Sequence, residues 1–343
     1  MSRPGYVMDD RFRLHNPGDR HPESPGRLVV IQKALDDFGV ARRWRRIAAR
    51  RARVDQLELV HSPRHIERVR RASERAPCLL DADTPVSSES YDTALLAAGS
   101  VLACLELTCG GEVDRTFAFV RPPGHHVEPE RVMGFCLLNN VALGAAYLRS
   151  EHKLERVAVI DIDIHHGNGT QACFYQDPHV LYISTHQFPY FPGTGDFCEV
   201  GAGDGWGRTI NFPLPAETGD DVFVPIYSRI VAAILDQFQP QFLLVSAGFD
   251  ALKGDPLGGL AVTVAGYASV AVSLLKAADR CCRGRICFVL EGGYSPAGLH
   301  ACTTAILSAM ESDAPKELAI SPAPLYKVIS DNAKGEMGEH WRW

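Results

Sequence analysis

Short runs rich in valine, isoleucine, leucine and phenylalanine recur at 116–120, 157–162, 180–183, 242–245 and 286–290. Each is too short for a core helix and reads as a strand buried on both faces. Longer stretches at 141–149, 222–236, 264–278 and 298–310 lie among them and read as helices. That order predicts a three-layer α/β fold, a predominantly parallel sheet covered by helices on both sides. A further helix is expected over 24–39, with Leu28, Ile31 and Leu35 on one face. Residues 76–88, 201–207 and 216–219 read as loops. The segment 321–343 is polar apart from Leu325, Val328 and the terminal tryptophans. It is expected to be a peripheral tail on one domain spanning 1–343, packed loosely or engaged in a contact between copies.

The polar residues interrupting this pattern sit at one kind of place. His125 and His126, Asp163 and His165, Ser184 and His186, Asp250 and Tyr294 all fall at or just beyond the C-terminal ends of expected strands. Open α/β sheets bind ligands along that edge. Residues drawn from 125 to 294 would then share one centre, which favours a single domain.

The segment Asp161-Ile162-Asp163-Ile164-His165-His166-Gly167-Asn168-Gly169 carries the densest chemistry. Strand alternation would send Asp161, Asp163 and His165 to one side of the sheet. Asp163, His165 and Asp250 form a candidate zinc site of two carboxylates and one imidazole, with room left for water and a carbonyl. His125 and His126 follow Arg121-Pro122-Pro123-Gly124, which constrains the loop enough to aim both rings. Asp161 is the expected partner of His125, which would carry a proton; Asn168 is the expected partner of His126, which would act as base. Tyr294, after Gly292-Gly293, is a candidate oxyanion donor. Phe135 and Phe191 are candidate aromatic walls, although Tyr190 makes the second assignment depend on register. Asp161, Asp163 and Ser184 also offer oxygens to a monovalent cation.

Composition narrows the classes. The 343 residues are 46% hydrophobic and carry a formal charge of -6, which argues against a general nucleic-acid binder. Arginines at 42–46 and 50–53 are expected on solvated helix faces and turns. Ten cysteines without a regular framework read as free thiols in a reducing compartment, the cytoplasm. Asp9, Asp10 and Arg11 stand where a secretory leader would be apolar, and no uninterrupted apolar run reaches membrane-spanning length.

These motifs resemble the zinc-dependent histone deacetylase family, over most of the chain from about His21-Pro22-Glu23-Ser24-Pro25 to Glu291-Gly292-Gly293-Tyr294. The resemblance implies the arginase/deacetylase-like fold, zinc on Asp163, His165 and Asp250, and tandem catalytic histidines at His125 and His126. It also implies Tyr294 as oxyanion donor and an acyl-lysine tunnel walled by Phe135 and Phe191. Leu257 resembles the rim leucine of protein deacylases. Potassium is implied near Asp161, Asp163, His165, Ser184 and the backbone of Thr185. Asn168, where one branch has aspartate, is similar to class II and bacterial members. Expected substrates are acylated lysine in a peptide or protein, with a small acylated amine such as an acetylpolyamine as the alternative. The latter would use an acidic rim, for which Glu128 and Glu130 are candidates. A noncatalytic acyl-lysine binder would require crippled machinery, yet no group is missing.

Overall fold

Each of the five apolar runs becomes a strand, and three further strands extend the same sheet. A computed structural model describes residues 3–18, 20–312 and 316–343. In chain order the strands are β1 (Pro4–Val7), β2 (Arg45–Arg46), β3 (Cys78–Leu79), β4 (Pro85–Val86), β5 (Arg115–Ala118), β6 (Val157–Asp161), β7 (Val180–Gln187), β8 (Thr209–Leu214), β9 (Phe242–Ala247) and β10 (Ile286–Leu290). The sheet runs β2-β1-β5-β10-β9-β6-β7-β8, with every neighbouring pair parallel. β3 and β4 form a small antiparallel hairpin within the stretch expected to be loop. β1 and β5 to β10 are buried at every residue, so both faces of the sheet are covered.

The helices are α1 (Gly26–Phe38), α2 (Val54–Leu57), α3 (Pro63–Glu74), α4 (Ser90–Cys109), α5 (Asn140–Ser150), α6 (Asn168–Phe174), α7 (Asp220–Pro225), α8 (Ala232–Phe238), α9 (Val264–Cys281), α10 (Pro296–Glu311) and α11 (Pro324–Met337). A π-helical turn, Ile226–Val231, joins α7 to α8. α1, α10, α9 and α8 pack in series, while α4 pairs with α5 and lies against β1, β5 and β10. α1 buries Leu28, Ile31 and Leu35 and ends at Gly39, whose φ of 73° is the left-handed cap conformation that glycine adopts without strain.

After β6 the chain proceeds to β7 on one side; after β9 it proceeds to β10 on the other. The adjacent C-terminal ends of β6 and β9 therefore form a topological switch point, where open α/β sheets leave a crevice.

Two expectations need correction. The arginine-rich segments are only partly on helix faces and turns: Arg42 ends a short 3-10 helix and Arg43 the turn after it, but Arg45 and Arg46 form edge strand β2, and 50–53 is loop. Acids accompany them, in the pairs Arg43–Glu311, Arg45–Glu112, Arg50–Glu106, Arg51–Asp92 and Arg53–Asp55. α4, at 20 residues, is long and apolar enough by length and composition to cross a membrane, although Asp92, Ser100 and Glu106 interrupt its apolar run as expected. Most of it is buried in the protein, as a core helix apolar on all sides would be. The tail is not loosely attached. Ile329, Ala333, Met337 and Trp341 are buried, α11 packs along edge strand β8, and Trp341 Nε1 donates to the Gly207 carbonyl at 2.8 Å.

Candidate active site

β6 ends at Asp161, one residue group short of the expected pleat. In register it stands beside Ser184 of β7 and Ser246 of β9. The chain then bends, and Asp163 and His165 reach the site from a loop. Asp163 Oδ1 builds that bend by accepting from the His165 backbone N–H at 2.9 Å, while its partner Nδ1 lies 3.0 Å away. Asp250 enters from the loop after β9, and its Oδ1 accepts from the Ile164 N–H at 2.9 Å. One ligand atom from each of Asp163, His165 and Asp250 lies within 4.8 Å of the others. Behind them Gly292 donates its N–H to Asp163 Oδ2 at 2.9 Å. A Cβ at Gly292 would overlap both carboxylates, so only glycine lets the backbone approach this closely.

The charges in this cluster fit a divalent ion. Asp163 and Asp250 are both fully buried, and Asp250 Oδ2 has no hydrogen-bond partner although His165 Nδ1 is 3.3 Å away. Burial and the neighbouring Asp163 push Asp250 up to about 6. Burial disfavours charge on His165, yet its bond to Asp163 and the nearby carboxylate charges of Asp163 and Asp250 outweigh this and raise it to about 10. A proton on His165 thus supplies positive charge between two carboxylates. A metal ion would use the same three groups with the imidazole neutral.

The expected histidine pairs are present. His125 Nδ1 lies 3.0 Å from Asp161 Oδ2, and His126 Nδ1 lies 2.9 Å from Asn168 Oδ1. Their protonation diverges. For His125, burial is outweighed by Asp161, Asp163 and Glu291, which raise it to about 10. For His126, burial and the charges of His125 and His165 push the imidazole well below its ordinary value. Glu291 Oε2 fixes the histidine loop by accepting from the N–H groups of Gly124 (2.7 Å) and His125 (3.2 Å).

Glu128 is not at the rim. Its carboxylate accepts from Asn168 Nδ2 at 2.9 Å, and this explains an asparagine at that position. An aspartate would place a second carboxylate against Glu128. Asn168→Asp is therefore expected to cost about 1–3 kcal/mol of stability, the scale for a buried polar group that loses its partner. Denaturant unfolding should show the loss, and adding Glu128→Gln should recover most of it; equal midpoints for wild type and the single variant would contradict this account.

A cleft of about 160 Å³ opens over the cluster, lined by His125, His126 and His165 at its base and by Phe135, Phe191, Leu257 and Tyr294. Phe191 meets His126 edge to face at 5.2 Å, while Tyr190 stacks on His165 at 5.6 Å and also lines the cleft. The register question thus dissolves, since both rings are walls. Their loop is fastened by His166 to Thr194 and by His186 to the Gly195 carbonyl. Phe135 adopts a φ of 66°, unusual for a bulky residue. Asp83 and Thr84 hold that turn by accepting from the N–H groups of Gly134 (3.1 Å) and Phe135 (3.3 Å). Asp83, not Glu128 or Glu130, is the carboxylate at the cleft's outer wall. Its contribution was illegible because it comes from the hairpin stretch read as loop. Tyr294 is kept protonated by burial. Arg27 braces its turn, donating to the carbonyls of Gly293 (2.8 Å) and Glu291 (2.6 Å), a role that nothing in an arginine on an amphipathic helix announces.

A parallel sheet with a His/Asp cluster at its switch point, facing paired histidines, defines an amidohydrolase-type catalytic domain. Residues 21–310 match the family model for the histone deacetylase domain. A probable deacetylase of Archaeoglobus fulgidus is 38% identical over 296 residues, covering 86% of this chain and 82% of that protein. A histone deacetylase-like amidohydrolase of Pseudomonas aeruginosa is 37% identical over 288 residues, 84% of this chain and 76% of that protein. Histone deacetylase 5 of Arabidopsis thaliana is 36% identical over 336 residues, 91% of this chain, but only half of that protein is spanned. The crystal structure of the HDA15 HD domain superposes with a TM-score of 0.93 at 35% identity, covering 99% of this chain and 97% of that one. The chain belongs to the histone deacetylase family, among its class II-like and bacterial-like members.

Proposed function

We propose that the protein hydrolyses acyl-lysine amides, Nε-acetyl-lysine foremost, in a zinc-dependent reaction. The observation that carries this reading is a cleft with aromatic walls that reaches His165 of the Asp163, His165 and Asp250 cluster beside two histidines whose surroundings favour opposite protonation states. Those three residues would hold the zinc, whose Lewis acidity makes water more acidic and a carbonyl more electrophilic. His126, neutral and held by Asn168 at Nδ1, leaves Nε2 to accept a proton from the attacking water and return it to the departing amine. His125, protonated against Asp161, stabilises negative charge as it develops. The Tyr294 hydroxyl donates to the oxyanion. Phe135, Tyr190 and Phe191 exclude water and grip the lysine methylenes, with Leu257 at the rim.

Potassium near Asp161, Asp163, His165, Ser184 and the Thr185 backbone belongs to the same proposal, supported by the register that sets Asp161 beside Ser184. So does one catalytic domain over 1–343, supported by a core cluster running from Tyr6 to Trp341. A cytoplasmic location accords with ten free cysteines. One observation favours the acetylpolyamine alternative, the carboxylate of Asp83 on the cleft wall.

Zinc-loaded enzyme assayed on acetyl-lysine peptides, longer acyl-lysine peptides and acetylpolyamines separates these readings. We expect the acetyl-lysine peptide to lead in kcat/KM by tenfold or more, about 1.4 kcal/mol. Acetylpolyamines leading by that margin would reverse the substrate assignment. Binding of acetyl-lysine without release of acetate would leave a noncatalytic binder.

A further inference from the structure

Asp255 has no part in the chemistry just described, yet its carboxylate is fully engaged and only 5% exposed. Oδ1 accepts from the Leu257 N–H at 3.0 Å. Oδ2 accepts from two N–H groups on a distant segment, Tyr294 at 2.7 Å and Ser295 at 2.9 Å. One buried side chain thus ties the rim of the cleft to the turn bearing the proposed oxyanion donor. The turn needs such a tie. Gly293, at a φ of 112°, is conformationally permissive, and Arg27 grips the backbone only before Tyr294, at the Glu291 and Gly293 carbonyls. Asp255 grips it from the other end. Tyr190 extends the tie across the cleft, its hydroxyl donating to the Leu257 carbonyl at 3.4 Å.

We propose that Asp255 is a positioning residue that fixes the Tyr294 turn against the Leu257 rim, so that the phenol hydroxyl is aimed before substrate arrives. This rests on the hydrolase reading above. A hydroxyl that donates chiefly in the transition state contributes to kcat rather than to ground-state binding, and a displacement of about 1 Å can cost ~10²-fold. A carboxylate that merely stabilised the fold would not distinguish Tyr294 from any other group in the cleft.

The test uses zinc-loaded full-length protein carrying Asp255→Ala or Asp255→Asn, each with and without Tyr294→Phe, on an acetyl-lysine peptide. Asp255→Ala should lower kcat by about 10–100-fold, with a smaller change in KM. Asp255→Asn should fall between, because its amide retains one acceptor oxygen; it also serves if the alanine variant fails to fold. In the Tyr294→Phe background the same substitutions should cost less than about threefold, since the group they aim is gone. Amide exchange at residues 294 and 295 should rise in both Asp255 variants, whether or not turnover is found. Equal fold-losses in the two backgrounds, an unchanged kcat, or unchanged exchange would each overturn the proposal. Wild-type protein inactive on every acyl amide would instead remove the functional reading, while the exchange measurement still reads the tie.

Discussion

Asp250→Asn is expected to yield folded protein that retains no zinc and loses turnover by a factor on the order of 10³, the equivalent of about 4 kcal/mol of transition-state stabilisation from the metal. The asparagine oxygen can keep the bond from the Ile164 N–H, so the loop stays in place. What disappears is the charge on Oδ2, the buried atom without a partner that faces His165 and Asp163. Without zinc the substitution also relieves the cost of a buried carboxylate and its repulsion from Asp163, which together push Asp250 up to about 6. The metal-free variant should therefore unfold at or above the temperature of metal-free wild type. Zinc should separate them: a site at one hundred times its Kd gains about 2.7 kcal/mol, which wild type alone would show. Stoichiometric zinc in the variant, or activity within tenfold of wild type, would remove Asp250 from the ligand set.

The parts of the molecule legible in the sequence were those where one physical demand dominates. Strands β5, β6, β7, β9 and β10 are buried at every residue and carry mainly apolar side chains because helices cover both faces. The candidate catalytic groups stood out by interrupting such runs at a common edge. β1 and β2 were missed because they are short and contain Pro4, Gly5 or paired arginines. β8 was missed because Pro213 is tolerable only on a strand with one free edge, a fact of topology rather than of local sequence. α4 hid for the opposite reason, since burial on nearly all sides erases the period that marks a surface helix. At the site, the two-residue spacing of Asp163 and His165 pointed to residues that do cluster with Asp250, but through the wrong geometry, a carboxylate-capped bend replacing the strand pleat. Glu128, Asp83 and Arg27 act on partners 40, 51 and 266 residues away, and nothing local betrays such contacts.

His126→Ala should lower kcat/KM by about 10²–10⁴-fold, the usual worth of a positioned general base, and should leave zinc bound. The pH profile distinguishes loss of a base from loss of packing. In the proposed mechanism His126 acts as the free base, so activity is expected above its pKa and should fall as pH drops through it. Burial, then the charges of His125 and His165, depress that pKa well below 6.5, and a bound cation would push it the same way. Wild-type kcat/KM should accordingly hold through pH 6.5 and decline only in more acid solution. In the alanine variant that acid limb should vanish from the residual rate. Asn168 supports this assignment physically, because an uncharged acceptor at 2.9 Å orients Nδ1 while favouring the protonated ring less than a carboxylate's charge would. An acid limb that survives His126→Ala unchanged would assign it to another group. His125 would not be the natural replacement, since its pairing with Asp161 favours the protonated ring over the free base this step requires.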